Sequence, residues 1–453
     1  MSKIRILFTF FCFLFLVQGL HVQGQEPDVT EDLMNQIRRD KFDIYLPQVM
    51  RKNKIDMWIH VIRPWATDPL AYEFGSNSAI FIFTNRGKKR IERTVFKFSD
   101  EVKDPGAYDI IGEEAEDLDQ QNYYVPKDPD KAPETELDLR FMGLGEFVAE
   151  RNPKHIGVNY SEKLSLAEGS EVRALTDGIS HTDYMLLVKA LGDEYAKRMV
   201  SAEYLILDYL SIRVKKEIEY HRQMGIKATE YLDEQFAKIV PGETTLRELE
   251  QNVFVRDPDG NEHNNDGYVI QRGDLVGILH GAGDMLKIMD ADTGGTGYVL
   301  REGETDLPPE VQNLWKDILK IREILQKNIK AGPTAGEILK TLIRKLEEAG
   351  YVYIDGDEYD KNADPQKTQV HLDLHAMGKG VLSPRISPMG PKWHWNRKIQ
   401  VNHTFAFEYM VHMPVPKWGK GKYLYACLHD GAIVTEEGVE FPYPPTKGIY
   451  IIR

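Results

Sequence analysis

Apolar positions recur along this chain with two different periods, and the change from one to the other divides it. Between residues 40 and 200, short runs predict strands: IDMWIHVI (55–62), SAIFIFTNRGKKRIERTVFKF (78–98) and HIGVNY (155–160). The second is a hairpin turning at Asn85-Arg86-Gly87, and 180–200 predicts a helix. From 201 a helical period takes over. One long helix to about 239 carries Val214, Ile218, His221, Gly225, Ala228, Leu232, Phe236 and Ile239 on one stripe. A second carries Val311, Leu314, Ile318, Ile321, Leu325 and Ile329. Each ends in IVPGETTLREL (239–249) or IKAGPTAGEIL (329–339), where Thr245/Glu248 and Thr334/Glu337 form capping boxes that open a further helix. Two such endings in register predict duplicated halves with a site between them. Sheet follows each helical pair: 268–281 and 284–300 in the first half, 399–453 in the second.

Side chains alternate along a strand, so Asp290 and Asp292 share a face. Glu408 shares one with Ala406, Met410 and His412; His429 with Tyr423, Tyr425 and Cys427; His280 with Val276 and Ile278. A carboxylate among aromatics, as in FAFEYMV (405–411), costs several kcal/mol unless it is paired or bound to a cation. Acids and imidazoles recurring on rigid strands suit a divalent ion. They equally suit plain acid–imidazole pairing. Cys427 has no base beside it in sequence and reads as core packing.

Composition narrows the setting. MSKIR followed by ILFTFFCFLFLV reads as a secretory signal peptide cut near Gly24, too short to span a membrane. The protein is expected to be secreted or periplasmic, with no stable membrane insertion after cleavage. Cleavage removes Lys3 and Arg5 and no acid, so a net charge of −14 becomes −16. An acidic chain without a basic block argues against nucleic acid as a partner. Cys12 leaves with the signal, so Cys427 stands alone and the core must hold without disulfides. The acidic, Pro-rich 101–138 reads as exposed loop. DPDGNEH (257–263) and DGDEYDKNAD (355–364) lack the Gly and Glu of a calcium loop and read as acidic turns.

From about 205 to 447 the chain resembles the pita-bread family of methionine aminopeptidases, Xaa-Pro aminopeptidases, prolidases and creatinase. The resemblance rests on RVKKEIEYHRQMGIKATE, IVPGETTLREL, IQRGDLV, TGYVL, IKAGPTAGEIL, HAMGKG and GAIVTEEGVEF. It implies a mixed α/β (α+β) protein. A creatinase/prolidase-like α/β domain over 25–200 would precede a pseudo-twofold domain over 201–453, with a curved antiparallel sheet backed by four principal helices. It also implies a homodimer, a peptide substrate or ligand, and removal of an N-terminal residue by metal-activated water.

Active members resemble one another in five ligands to two ions: two Asp, one His and two Glu. Carried over by position, Asp292 and Glu408 are retained. The first Asp falls on Leu279 or neighbouring His280, the His on Met377 with His375 two residues earlier, and the last Glu on His429. Imidazole cannot bridge two cations as a carboxylate does, so a two-metal centre is not expected. Two readings stay open. Asp292, Glu408, His429 and His280 or His375 surround one zinc, iron or manganese ion, with His375 also the candidate catalytic imidazole. Otherwise the acids are neutralised by the imidazoles, and a non-catalytic cleft binds a peptide or other small ligand.

Overall fold

A computed structural model describes residues 30–64, 66–87, 90–114, 140–164, 175–249, 252–283, 290–377, 384–390, 392–419 and 421–453. The expected signal segment 1–24 and most of the expected acidic loop 101–138 lie outside the described residues. Six strands make the first sheet: β1 (Met57–Ile62), β2 (Ala79–Thr84), β3 (Glu92–Phe98), β4 (Ile110–Glu114), β5 (Ile156–Val158) and β6 (Met199–Ser201). Their order is β4-β3-β2-β1-β5-β6, with the expected antiparallel β2–β3 hairpin. Every residue of β1 and β2 is buried, because helices cover both faces of the sheet's centre.

Two further sheets follow. The first holds β7 (Asn252–Arg256), β8 (Glu262–His263), β9 (Leu275–Gly283) and β10 (Asp290–Val299), with β17 (Tyr450–Ile452) closing its edge beside β10. The second holds β11 (Val352–Tyr353), β12 (Gln369–Leu372), β14 (Thr404–Pro414), β15 (Tyr423–Val434) and β16 (Val439–Glu440), with the short β13 (His375–Ala376) paired to β14. Alternation decides what each face meets. Phe405, Phe407, Tyr409 and Val411 of β14 pack on the helices Pro309–Asn328 and Ala335–Glu348. Val276 and Ile278 of β9 pack on Leu232 and Phe236 of the helix Lys215–Ala237. The opposite faces of β10 and β15 meet each other, which brings the two halves together.

The helices differ from the sequence expectation in two places. The first long helix is two, Glu203–Ser211 and Lys215–Ala237, separated by extended Ile212. The Thr245/Glu248 box opens only a 3₁₀ turn, Leu246–Leu249, whereas the Thr334/Glu337 box caps the full helix Ala335–Glu348. The 3₁₀ turn ends at Leu249 and β7 begins at Asn252, which leaves no length for a full helix; the N–H groups of Leu246 and Arg247 bond to the carbonyls of Tyr268 and Asp266. Among the described residues, three long helices back the two curved sheets rather than four.

Two buried contacts fix the helix Lys215–Ala237. Lys41, fully buried, places its ammonium 2.9 Å from Glu73 and 3.7 Å from Glu217 of that helix. On the other side the ring of Tyr443 slots between Gly225 and Gly431, and its hydroxyl donates to the Asp292 carbonyl at 3.3 Å. A Cβ on Gly225 would fall 2.0 Å from that ring. Gly225→Ala should therefore destabilise the fold by about 1–3 kcal/mol despite alanine's better helix propensity, read as a lowered urea midpoint. An unchanged or raised midpoint would show that the slot is not tight.

Candidate functional site

β14 and β15 run antiparallel in continuous register from Thr404↔Ile433 to Pro414↔Tyr423, and this sets Glu408 directly opposite His429. Directly opposed residues of a ladder point to the same face, here the one turned away from the helices. β13 pairs His375 with Ala406, two residues from Glu408 on the same face. From the other half, β10 supplies Asp292. Four side chains from four strands thus converge.

Their contacts form a closed set. His429 lies with Nδ1 3.1 Å from Asp292 Oδ1 and Nε2 3.4 Å from Glu408 Oε1. His375 places Nε2 3.6 Å from Asp292 Oδ2 and 3.5 Å from Glu408 Oε2. Its Nδ1 donates to the Ala376 carbonyl at 3.1 Å, which leaves Nε2 facing both acids. A bare lone pair there would repel two carboxylates, so the ring carries a second proton. Each imidazole stands between the same two acids, and two positive charges balance two negative ones.

The titration of the four follows from this pairing. Burial alone would lower His375, but Asp292 and Glu408 override it and raise the ring to about 10. Burial opposes the charge on His429 too, and the same two acids carry it well above the ordinary histidine value. Burial disfavours ionised Asp292 and Glu408; the charge on His429, with the contacts from His375, holds both below the usual carboxylate range. The four titrate as one unit.

The remaining expected residues lie elsewhere. His280, expected as a ligand, faces Thr293 in the register, while Gly281 faces Asp292. Its ring therefore points to the helix side, where it stacks on Tyr231 with centroids 4.4 Å apart. Burial pushes it down to about 4, against the pull of Asp292. Leu279 occupies the face shared with Asp292 and packs against Met410, Tyr425 and Cys427. Met377 is buried, and its carbonyl accepts from Arg213 at 2.7 Å and Thr404 at 2.9 Å. His371 turns Nδ1 onto the Ile354 carbonyl at 3.1 Å.

Two groups carry more than the sequence suggested. Asp290 is pushed up to about 6, by burial and then by the charge of Asp292, and its Oδ1 has no hydrogen-bond partner. Cys427 does not simply fill the core: one donor atom each from Glu408, Cys427 and His429 lies within 4.8 Å of the others. Its position two residues before His429, on the same strand face, was the available signal.

Leu279 is apolar and offers no donor atom at this point, while Asp292 and Glu408 each lie against both imidazoles.

No family model and no curated protein sequence matches the chain. Solved structures do. The X-Pro aminopeptidase from Thermotoga maritima MSB8 superposes with a TM-score of 0.55 at 15% identity, over 89% of this chain and 100% of that one. The Xaa-Pro dipeptidase from Bacillus anthracis gives 0.53 at 15%, over 92% and 100%. The prolidase from Pyrococcus horikoshii OT3 gives 0.51 at 16%, over 91% and 99%. The fold is therefore the pita-bread fold of Xaa-Pro peptidases, with its preceding α/β portion, across nearly the whole chain.

The pairing predicts a pH window with a definite sign. The depressed acids contribute stability above about pH 4, and the raised histidines contribute fully below about pH 6.5 and lose it as pH rises through 10 and beyond. The stability difference between the wild type and an Asp292→Asn/Glu408→Gln variant should peak between about pH 4.5 and 6.5 and shrink towards alkaline pH. Urea midpoints measured across that range test it; a difference that grows with pH would contradict the pairing.

Proposed function

We propose that this protein is an exported peptide-binding protein on the Xaa-Pro peptidase fold, in which two-metal hydrolysis has been replaced by a metal-free ion-pair network. One observation supports the reading above others: each surviving acid is ion-paired to both imidazoles, at 3.1–3.6 Å. Cations that a peptidase centre would take from solution have been written into the chain as imidazolium rings. The four residues then hold one another in one geometry by charge pairing. The ligand class comes from the fold neighbours, which are named for acting on Xaa-Pro peptides. Export rests on the basic n-region and apolar run of residues 1–17. A homodimer is part of the same reading.

A second reading, hydrolysis at a single ion, is favoured by the nearness of the Glu408, Cys427 and His429 donors. Assay of an Xaa-Pro dipeptide with manganese, cobalt or zinc separates the two. The expected outcome is no turnover above background under any metal, with calorimetric binding of a proline-containing peptide to metal-free protein. Turnover with two ions bound per chain would refute the reading outright, and turnover with one would establish the second. For export, sequencing the N-terminus of protein collected outside the producing cells should find a start near Gln25; retention of the intact N-terminus inside would remove that part of the proposal.

A further inference from the structure

We propose that a cavity on the first sheet, between β3, β4 and the helix Leu144–Arg151, binds a small aromatic carboxylate with a hydroxyl at its far end. None of its lining residues belongs to the acid–imidazole cluster, so the proposal is independent of what that cluster does.

A bulge shapes the site. Along β2 and β3 the register runs Phe81↔Val95 but Ile80↔Lys97, so Phe96 is an extra residue without a partner on β2. Lys97 therefore shares the face of Ile80, and Thr94, opposite Ile82, shares it too. Ile80 and Ile82 belong to the core that Leu144 and Val148 of the helix complete, and Phe96 packs against it. β4 follows the bent strand in parallel from Thr94↔Ile110 to Phe98↔Glu114. The approach is so close that a Cβ on Gly112 would fall 2.0 Å from the Phe96 carbonyl oxygen. Between these two strands and the start of the helix lies a cavity of about 400 Å³, the size of a small-molecule site.

The walls are apolar: Phe96, Ile110, Met142 and Phe147. The rings of Phe96 and Phe147 meet edge to face with centroids 5.4 Å apart, an arrangement that a third ring can extend. Met142, 61% exposed, brings a flexible thioether that can fold over an occupant.

Two polar groups set the ends of the ligand. Lys97 is only 13% exposed, whereas the Glu113 carboxylate paired with it is 82% exposed. A pair with so exposed a partner is worth little, so a carboxylate held in the cavity can take the ammonium from Glu113 at small cost. Thr94 is 1% exposed and its Oγ1 has no hydrogen-bond partner. A buried hydroxyl left so calls for one, and it can both donate and accept. Thr94 and Lys97 are three positions apart, roughly 10 Å along a strand. One carboxylate cannot reach both. A benzene ring with a short carboxylate arm and a hydroxyl opposite that arm spans the distance.

The test is calorimetric titration of the full mature protein with para-hydroxyphenylpropionate. The expected result is saturable binding of one molecule per chain. Phenylpropionate, which lacks the hydroxyl, should bind about 3- to 10-fold more weakly, the loss of one neutral hydrogen bond. Tyramine, with an ammonium in place of the carboxylate, should not bind. Lys97→Gln should weaken binding of the hydroxylated acid by about 10-fold or more, since a charged partner is lost. Glu113→Gln should strengthen it by freeing the ammonium. Thr94→Val should erase the preference for the hydroxylated acid and leave the affinity for phenylpropionate unchanged. Circular dichroism of each variant controls for folding, and the comparison of the three probes on the wild type needs no variant. Absence of saturable binding overturns the proposal, as does equal affinity for the acids and tyramine. So does weaker binding in a folded Glu113→Gln protein.

Discussion

Two acids from opposite halves of the molecule share two imidazoles, and the geometry of the site depends on that sharing. Asp292 arrives on β10 and Glu408 on β14, and among the described residues no hydrogen-bonded ladder joins those strands. What holds their carboxylates near each other is the pair of cations between them, His375 and His429. Like charges placed together in a half-buried site otherwise force one of them to protonate. Asp290 shows the alternative on the same strand: buried, and beside the charge of Asp292, it is the acid that is pushed up.

The packing around this floor works from the outside inwards. The helix Lys215–Ala237 is clamped on one side by Lys41 between Glu73 and Glu217, three fully buried side chains. On its other side Gly225 yields space to Tyr443, whose hydroxyl reaches the backbone at Asp292. The helix, the ring and β10 thus form one continuous contact. A shift in the helix would reach Asp292 through Tyr443, so the position of the acid is set by residues with no chemistry of their own.

A divalent ion and an imidazolium would give a site of this fold different capacities. A divalent ion concentrates charge at a point and can polarise a bound water. An imidazolium spreads one charge over a flat ring and holds two acids by its two edges. The first arrangement is open to a ligand atom, and the second is saturated by its own partners. Cys427 lies at the boundary between them, close enough to Glu408 and His429 to offer a third donor without taking part in the ion pairs.

The alternation of apolar and polar residues was enough to place His429 and Cys427 on one strand face, and the family resemblance singled out Asp292 and Glu408 as acids from opposite halves. Period and caps marked the helix stripes, because those patterns are local and survive in one dimension. Register was not legible. Whether His280 or Gly281 stands beside Asp292 is a difference of one residue, and one residue turns a side chain to the other face of a sheet. Nor could the Thr245/Glu248 box reveal that the chain turns into β7 at Asn252, directly after the 3₁₀ turn ends at Leu249. Which acids meet which imidazoles was decided by the packing of β10 across β15, since contacts between residues far apart in the chain follow from the closing of two halves and from no local pattern.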